Sequence, residues 1–175
     1  MDRQRRSALK SSARWACMLP LLMMGACGFE LRKPPQFAFK ALFLNNVITN
    51  PFGQEMLSTL AQVQGLRVLT DPRDLDQADM IFDLNSVLRE KVIIGRTSTG
   101  AIREFQLRIK LVFKVRTPAG VEKIPEIEMI QRRDISFNES AVLAKEMEEE
   151  LLYQNMQTDL TYQIMRRLAA IKTVD

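Results

Sequence analysis

Between residues 102 and 116 the chain alternates strictly. Phe105, Leu107, Ile109, Leu111, Phe113 and Val115 stand at every second position, and Glu104, Gln106, Arg108, Lys110, Val112 and Lys114 fill the gaps. A period of two with one apolar and one mostly charged face predicts a half-solvated antiparallel strand. Glycine-bearing polar turns flank it, Gly95 to Gly100 before and Pro118-Ala119-Gly120 after. Ala78 to Ile94 and Val121 to Ile135 are therefore predicted as its hairpin partners. Pro125 lacks a ladder donor, which places the last strand at an edge or bulges it there. Upstream, Phe37 to Asn45 is apolar on both faces and reads as a buried strand.

Two segments change to helical spacing. Asn50-Pro51 supplies an N-cap and a proline at the first helical position, and Phe52, Met56, Leu57, Leu60 and Val63 follow, with Gly65 as the stop. Ser136-x-x-Glu139 has capping-box spacing, with Asn138 a competing cap. A long helix is expected from there to about Ile171, with Leu143, Met147, Leu151, Met156, Leu160, Ile164 and Leu168 as its apolar stripe. Leu66 to Leu69 reads as a short strand. The remaining elements run β-α-β-β-β-α, an α+β two-layer sandwich. A four-stranded, mostly antiparallel sheet carries two helices on one face.

The first 27 residues follow neither period. Arg3, Arg5, Arg6, Lys10 and Arg14 precede an apolar run from Trp15 to Met24, and Met24-Gly25-Ala26-Cys27 follows. A basic start, a short apolar stretch and small residues form the layout of an export signal. The run is about half of the ~20 residues a transmembrane helix needs. Small residues directly before a cysteine resemble a bacterial lipobox. Residues 1–26 are thus expected to be removed, and Cys27 to carry S-diacylglycerol and an N-palmitoyl chain. Gly28, in place of an aspartate, resembles an outer-membrane address. Residues 27–36, with Pro34-Pro35, read as a tether, and residues 37–175 as the folded domain.

This division changes the meaning of the charge. The whole chain of 175 residues holds 25 Lys+Arg and 21 Asp+Glu, a net +4. Five of those cations and one acid, Asp2, lie before Cys27, so the mature part keeps 20 of each. The basic excess therefore gives no reason to expect a nucleic-acid partner. The chain has no histidine and two cysteines, one in the signal and one at the lipidation site. Imidazole bases and most zinc sites are excluded. Asp79 and Asp83 share a strand face. Glu148, Glu149 and Glu150 are consecutive on a helix and are expected to fan outward. Neither set has a nucleophile or metal-ligating companion, so no enzyme, metal or cofactor is expected.

Basic residues carry the remaining chemistry. Arg89, Lys91, Arg96 and Arg103 bracket the Gly95–Gly100 turn, and strand pairing gathers them at one end of the sheet. Such a cluster suits phosphate groups, and it also suits an edge that must repel other sheets. Arg108, Lys110 and Lys114 line the polar face of the central strand.

An ordered set of short motifs resembles the lipopolysaccharide-assembly lipoprotein family LptE. It begins with Cys27-Gly28-Phe29-Glu30-Leu31-Arg32 after the lipobox and continues with Arg103-Glu104-Phe105-Gln106-Leu107. Arg133-Asp134-Ile135-Ser136, Ala144-Lys145-Glu146 and Gln163-Ile164-Met165-Arg166-Arg167-Leu168 follow. The resemblance implies an outer-membrane lipoprotein that plugs and helps assemble the LptD β-barrel and binds lipopolysaccharide in transit to the cell surface. It points to Arg96 and Lys145, with Arg103 and Lys91, as lipopolysaccharide contacts. It implies a barrel lumen opposite Arg108, Lys110 and Lys114. A scaffold of another envelope complex and a lipid carrier with an apolar cavity are the alternative readings.

Overall fold

A computed structural model describes residues 36–47 and 49–172, which belong to one unit spanning 34–175. The expected signal, Cys27 and the tether up to residue 35 lie outside the described residues. Five strands form one sheet in the order β2-β1-β3-β4-β5. They are β1 (Ala41–Asn45), β2 (Arg67–Leu69), β3 (Met80–Arg96), β4 (Ile102–Arg116) and β5 (Glu122–Ser136). Helix α1 (Pro51–Ala61) links β1 to β2, and α2 (Val142–Ala169) follows β5.

The α+β two-layer class holds, but the sheet has five strands where four were expected. The fifth is the short Arg67–Leu69 segment. It pairs parallel to β1, which pairs parallel to β3 on its other side. The sheet is therefore mixed, with the antiparallel part confined to β3, β4 and β5. Asp79 secures the start of β1 by accepting from the backbone N–H groups of Lys40 at 2.8 Å and Ala41 at 2.9 Å.

Local chemistry sets the element ends. Asn50 caps α1 by accepting from the Gly53 N–H at 2.8 Å, and Pro51 opens the first turn. Gly53 is required there, because a Cβ at that position would stand 1.9 Å from the Val47 carbonyl oxygen. Gly65 takes a positive φ in the turn that leads into β2. The expected capping box at Ser136 does not form. Asn138 caps a 3-10 turn instead, accepting from the Ser140 N–H at 3.0 Å, and α2 begins at Val142. The 28 residues of α2 span about 42 Å, close to the length of β4.

Both helices contribute to one core on one face of the sheet. Phe52, Met56 and Leu60 of α1 meet Leu42, Leu44, Phe82 and Phe113 of the sheet, and Met156, Leu160, Ile164 and Leu168 of α2 close over them. The Phe82 and Phe113 rings stack at 5.0 Å. On the opposite face a smaller cluster of Phe43, Ala78 and Ile81 sits beneath Leu69 and Leu75.

β5 lies at the edge, as Pro125 requires, and the ladder shifts register between the Phe113–Ile127 and Val115–Ile124 pairs on either side of that proline. A second irregularity falls in β3 at Asn85. Beyond it Arg89 pairs with Ile109 and Lys91 with Leu107, so these two cations stand on the helix-bearing face. The alternation through Asp83 is thereby inverted.

The apolar stripe expected on α2 is in fact two stripes. Met156, Leu160, Ile164 and Leu168 are buried, whereas Leu143, Met147 and Leu151 are 72%, 70% and 57% exposed. At 100° per residue the five-residue step from Leu151 to Met156 rotates the pattern by about 140°. The first three residues form an outer ridge on the helix.

Candidate functional site: the hairpin end of the sheet

The β3–β4 turn closes with Thr97 N–H donating to the Ala101 carbonyl at 2.8 Å and Gly100 at positive φ. The ladder just before it is irregular around Gly95. A Cβ on Gly95 would lie 3.0 Å from the Glu104 Cβ, so the close approach of the two strands favours glycine. Arg96 follows on the exposed side and donates to the Gly100 carbonyl at 3.0 Å. The Arg103 side chain is exposed and meets no carboxylate among the described residues.

Lys91 and Lys145 are brought together. Both line a small hollow of about 50 Å³ whose walls include Phe105, Ile135, Phe137 and Val142. The Lys91 ammonium sits 4.4 Å from the centre of the Phe105 ring and pairs with Glu149 at 2.6 Å. Lys145 pairs with Glu148 at 2.8 Å and donates to the Ser136 hydroxyl at 3.0 Å. The hollow is thus apolar inside, with two lysines and two glutamates, Glu146 and Glu149, among its lining. Arg96 makes no direct contact with this pair. It is nevertheless near: Ser136 stands opposite Glu104, and Glu104 opposite Gly95, in one row across three strands. Two strand spacings put Ser136 about 10 Å from the residue preceding Arg96.

One turn of helix further on, Arg89 pairs with Glu150 at 3.1 Å, donates to the Gln157 side chain at 3.0 Å and lies 4.8 Å from the Tyr153 ring centre. Tyr153 donates to the Glu90 carbonyl at 2.8 Å. Burial, with Glu149 adding to it, pushes the Tyr153 hydroxyl above its ordinary range. Glu148 and Glu150 are about half exposed, at 48% and 54%, yet the three glutamates are not simply solvated. All three are engaged by cations, two of them on the sheet. The inward position of Arg89 was missed in the sequence, although the three-residue gap from Leu84 to Val87 marks where the alternation breaks.

The face of the sheet away from the helices carries the other predicted cations. Arg108 donates to the Gln106 side chain at 2.7 Å, and Lys110 pairs with Glu90 at 3.0 Å. Lys114 stands opposite Asp83 in the ladder, but Asp83 is taken by Arg116 at 2.8 Å and by the Asn45 amide at 2.8 Å. Leu88 and Ile130 flank Lys110 in the same row and are partly exposed. This face therefore mixes apolar patches with cations, some internally paired. Asp79 and Asp83, which share a strand face, are both committed to holding β1 and the ladder.

Among the described residues no group of His, Cys, Asp and Glu could hold a metal ion. No helix among them is long and apolar enough to cross a membrane, which says nothing about strands.

Known proteins resemble the chain at two levels. Solved structures that share its fold include three lipoproteins. One is the solution structure of an uncharacterized lipoprotein B from Nitrosomonas europaea. It matches with a TM-score of 0.68 at 25% identity, over 82% of this chain and 91% of that one. The rare lipoprotein B of Shewanella oneidensis matches at 0.62 and 20% identity, over 74% and 94% of the two chains. A minor lipoprotein of Acinetobacter baumannii matches at 0.61 and 17%, over 77% and 94%. No curated protein sequence matches. The family model for LptE, described as lipopolysaccharide-assembly, matches residues 39–168, from just before β1 to the last turn of α2. With that extent of match, the chain belongs to the LptE family of lipopolysaccharide assembly.

Proposed function

We propose that this chain is a non-enzymatic outer-membrane lipoprotein, exported by its first 26 residues and acylated at Cys27. It occupies and helps assemble the LptD barrel and contacts lipopolysaccharide through the hairpin end of its sheet. Family membership supports the assembly role. The observation that carries the ligand reading is the hollow lined by both Lys91 and Lys145, at the sheet end that also carries Arg96 and Arg103. Ammonium and guanidinium groups donate to phosphate oxygens, and the apolar walls accept a few methylenes of an acyl chain. An amphiphile with phosphates next to acyl chains uses both.

The barrel reading draws on two surfaces. The open sheet face with Arg108, Lys110 and Lys114 presents cations to acidic and polar groups of a lumen. The outer ridge of Leu143, Met147 and Leu151 offers apolar area that the domain itself leaves uncovered.

Two measurements test the reading. The full-length protein is expected to co-purify with LptD after detergent extraction. Recovery always free of a barrel removes that partner. A photo-crosslinker at position 96 in living cells is expected to capture lipopolysaccharide or barrel. Capture of neither removes the hairpin end from the site.

A further inference from the structure

The basic residues at the hairpin end are of two kinds. Lys91 and Lys145 are each already held by a glutamate of α2, at 2.6 and 2.8 Å. Arg96 donates only to a backbone carbonyl, and Arg103 faces no carboxylate among the described residues. Glu149 and Glu148 thus occupy, from within the chain, positions that an anionic ligand needs.

Resting on the lipopolysaccharide reading above, we infer that Glu148 and Glu149 are specificity-determining residues. They set a charge threshold that a singly charged headgroup does not pass and a ligand with two phosphates does. A monoanion arriving at Lys91 or Lys145 exchanges one anionic partner for another and leaves a glutamate unpaired. Its net gain is small. A phosphate monoester brings close to two charges and three acceptor oxygens, and so outcompetes a carboxylate for the same ammonium. A second phosphate on the same molecule displaces nothing if it settles on Arg96 and Arg103. The Gly95–Glu104–Ser136 row sets the backbone next to Arg96 about 10 Å from that of Ser136, whose hydroxyl holds Lys145, so one glycolipid with separated phosphates reaches both. The pairs are partly exposed, with side chains 36% and 21% exposed for Lys91 and Glu149, so they can open without disturbing the core.

The test uses the full chain in detergent and isothermal titration with two probes. These are micelles doped with phosphatidylglycerol and micelles doped with bis-phosphorylated lipid A. The wild type is expected to prefer lipid A. E148Q/E149Q is expected to bind phosphatidylglycerol about five- to tenfold more tightly while its affinity for lipid A changes less than about twofold, so the preference narrows. E149Q alone moves the same way by a smaller factor, and circular dichroism confirms that both variants are folded. An unchanged preference in folded E148Q/E149Q overturns the threshold. A separate variant, R96E/K145E, keeps the two ideas apart. If it loses lipid A binding while E148Q/E149Q keeps the wild-type preference, the site stands and only the threshold falls. If R96E/K145E binds lipid A as the wild type does, or the wild type does not bind it, both fall.

Discussion

The two halves of α2 are attached to the same sheet by different physics. From Tyr153 onward the helix presents Met156, Leu160, Ile164 and Leu168 to a core that α1 also fills, and these side chains are essentially inaccessible to water. Before Tyr153 its inward track is Lys145, Glu149 and Leu152, and the sheet answers with Arg89 and Lys91. The lower half is held by burial, which salt does not screen. The upper half is held by charges in partial contact with water, which are individually weak and exchangeable. Only the second kind of attachment can give way to an anionic ligand without unfolding the domain. That is where the candidate site lies.

The largest effects should come from the lower half. L160A removes a fully buried side chain from the core that both helices and the sheet share and is expected to cost about 2–5 kcal/mol. M147A, on the same helix but at a side chain 70% exposed, should stay within about 0.5 kcal/mol. Urea denaturation of both variants decides this, and equal losses would erase the distinction between the halves.

At the junction, Y153F removes the hydrogen bond to the Glu90 carbonyl and should cost about 1 kcal/mol near neutral pH. Its pH dependence is more telling. The folded-state pKa of Tyr153 is raised above its ordinary value of 10.0, so ionisation favours the unfolded chain. The stabilisation is complete below that value and falls as pH rises through it. Wild-type stability should therefore decline more steeply above pH 10 than that of Y153F. Parallel profiles would show that the phenol is not buried under the helix.

A small effect is expected from the ion pairs of the upper half. E150Q breaks the pair with Arg89 and should cost no more than about 1 kcal/mol, with most of the difference from wild type gone in 1 M salt. A loss that persists at high salt would mean that the upper half is held by packing after all.

Much of this arrangement was legible along the chain, and what escaped has specific causes. β4 was readable from end to end because it is half-solvated and its alternation is unbroken. The edge position of β5 followed from one missing N–H at Pro125. β2 was visible as an extended segment, but three residues carry no record of which strand they join, and its parallel pairing to β1 is a tertiary fact. The inversion of β3 at Asn85 depends on one unpaired residue. The reversed face of Arg89 and Lys91 follows from it. The two stripes of α2 were separable in principle, since a step of five cannot continue a step of four. Merging them hid the outer ridge. The cations of the site were all visible as residue types. Their glutamate partners were not, because the phase of α2 against the sheet decides which acids turn inward.

The edges of the sheet have one more consequence. β2 offers only three residues to a neighbour, and β5 carries Pro125 near its start and the charged residues Glu126, Glu128, Arg132, Arg133 and Asp134 along the rest. A β-sheet recruits other strands through the unpaired N–H and C=O groups of its borders, and short, proline-bearing or charged borders are poor templates. A domain that resides among the strands of another protein, or that waits at high local concentration on a membrane, must avoid being stitched into a neighbour's ladder. With its borders blunted, this fold leaves recognition to side chains. Its interfaces can then be strengthened, weakened or redirected by single substitutions while the hydrogen-bonded framework stays as it is.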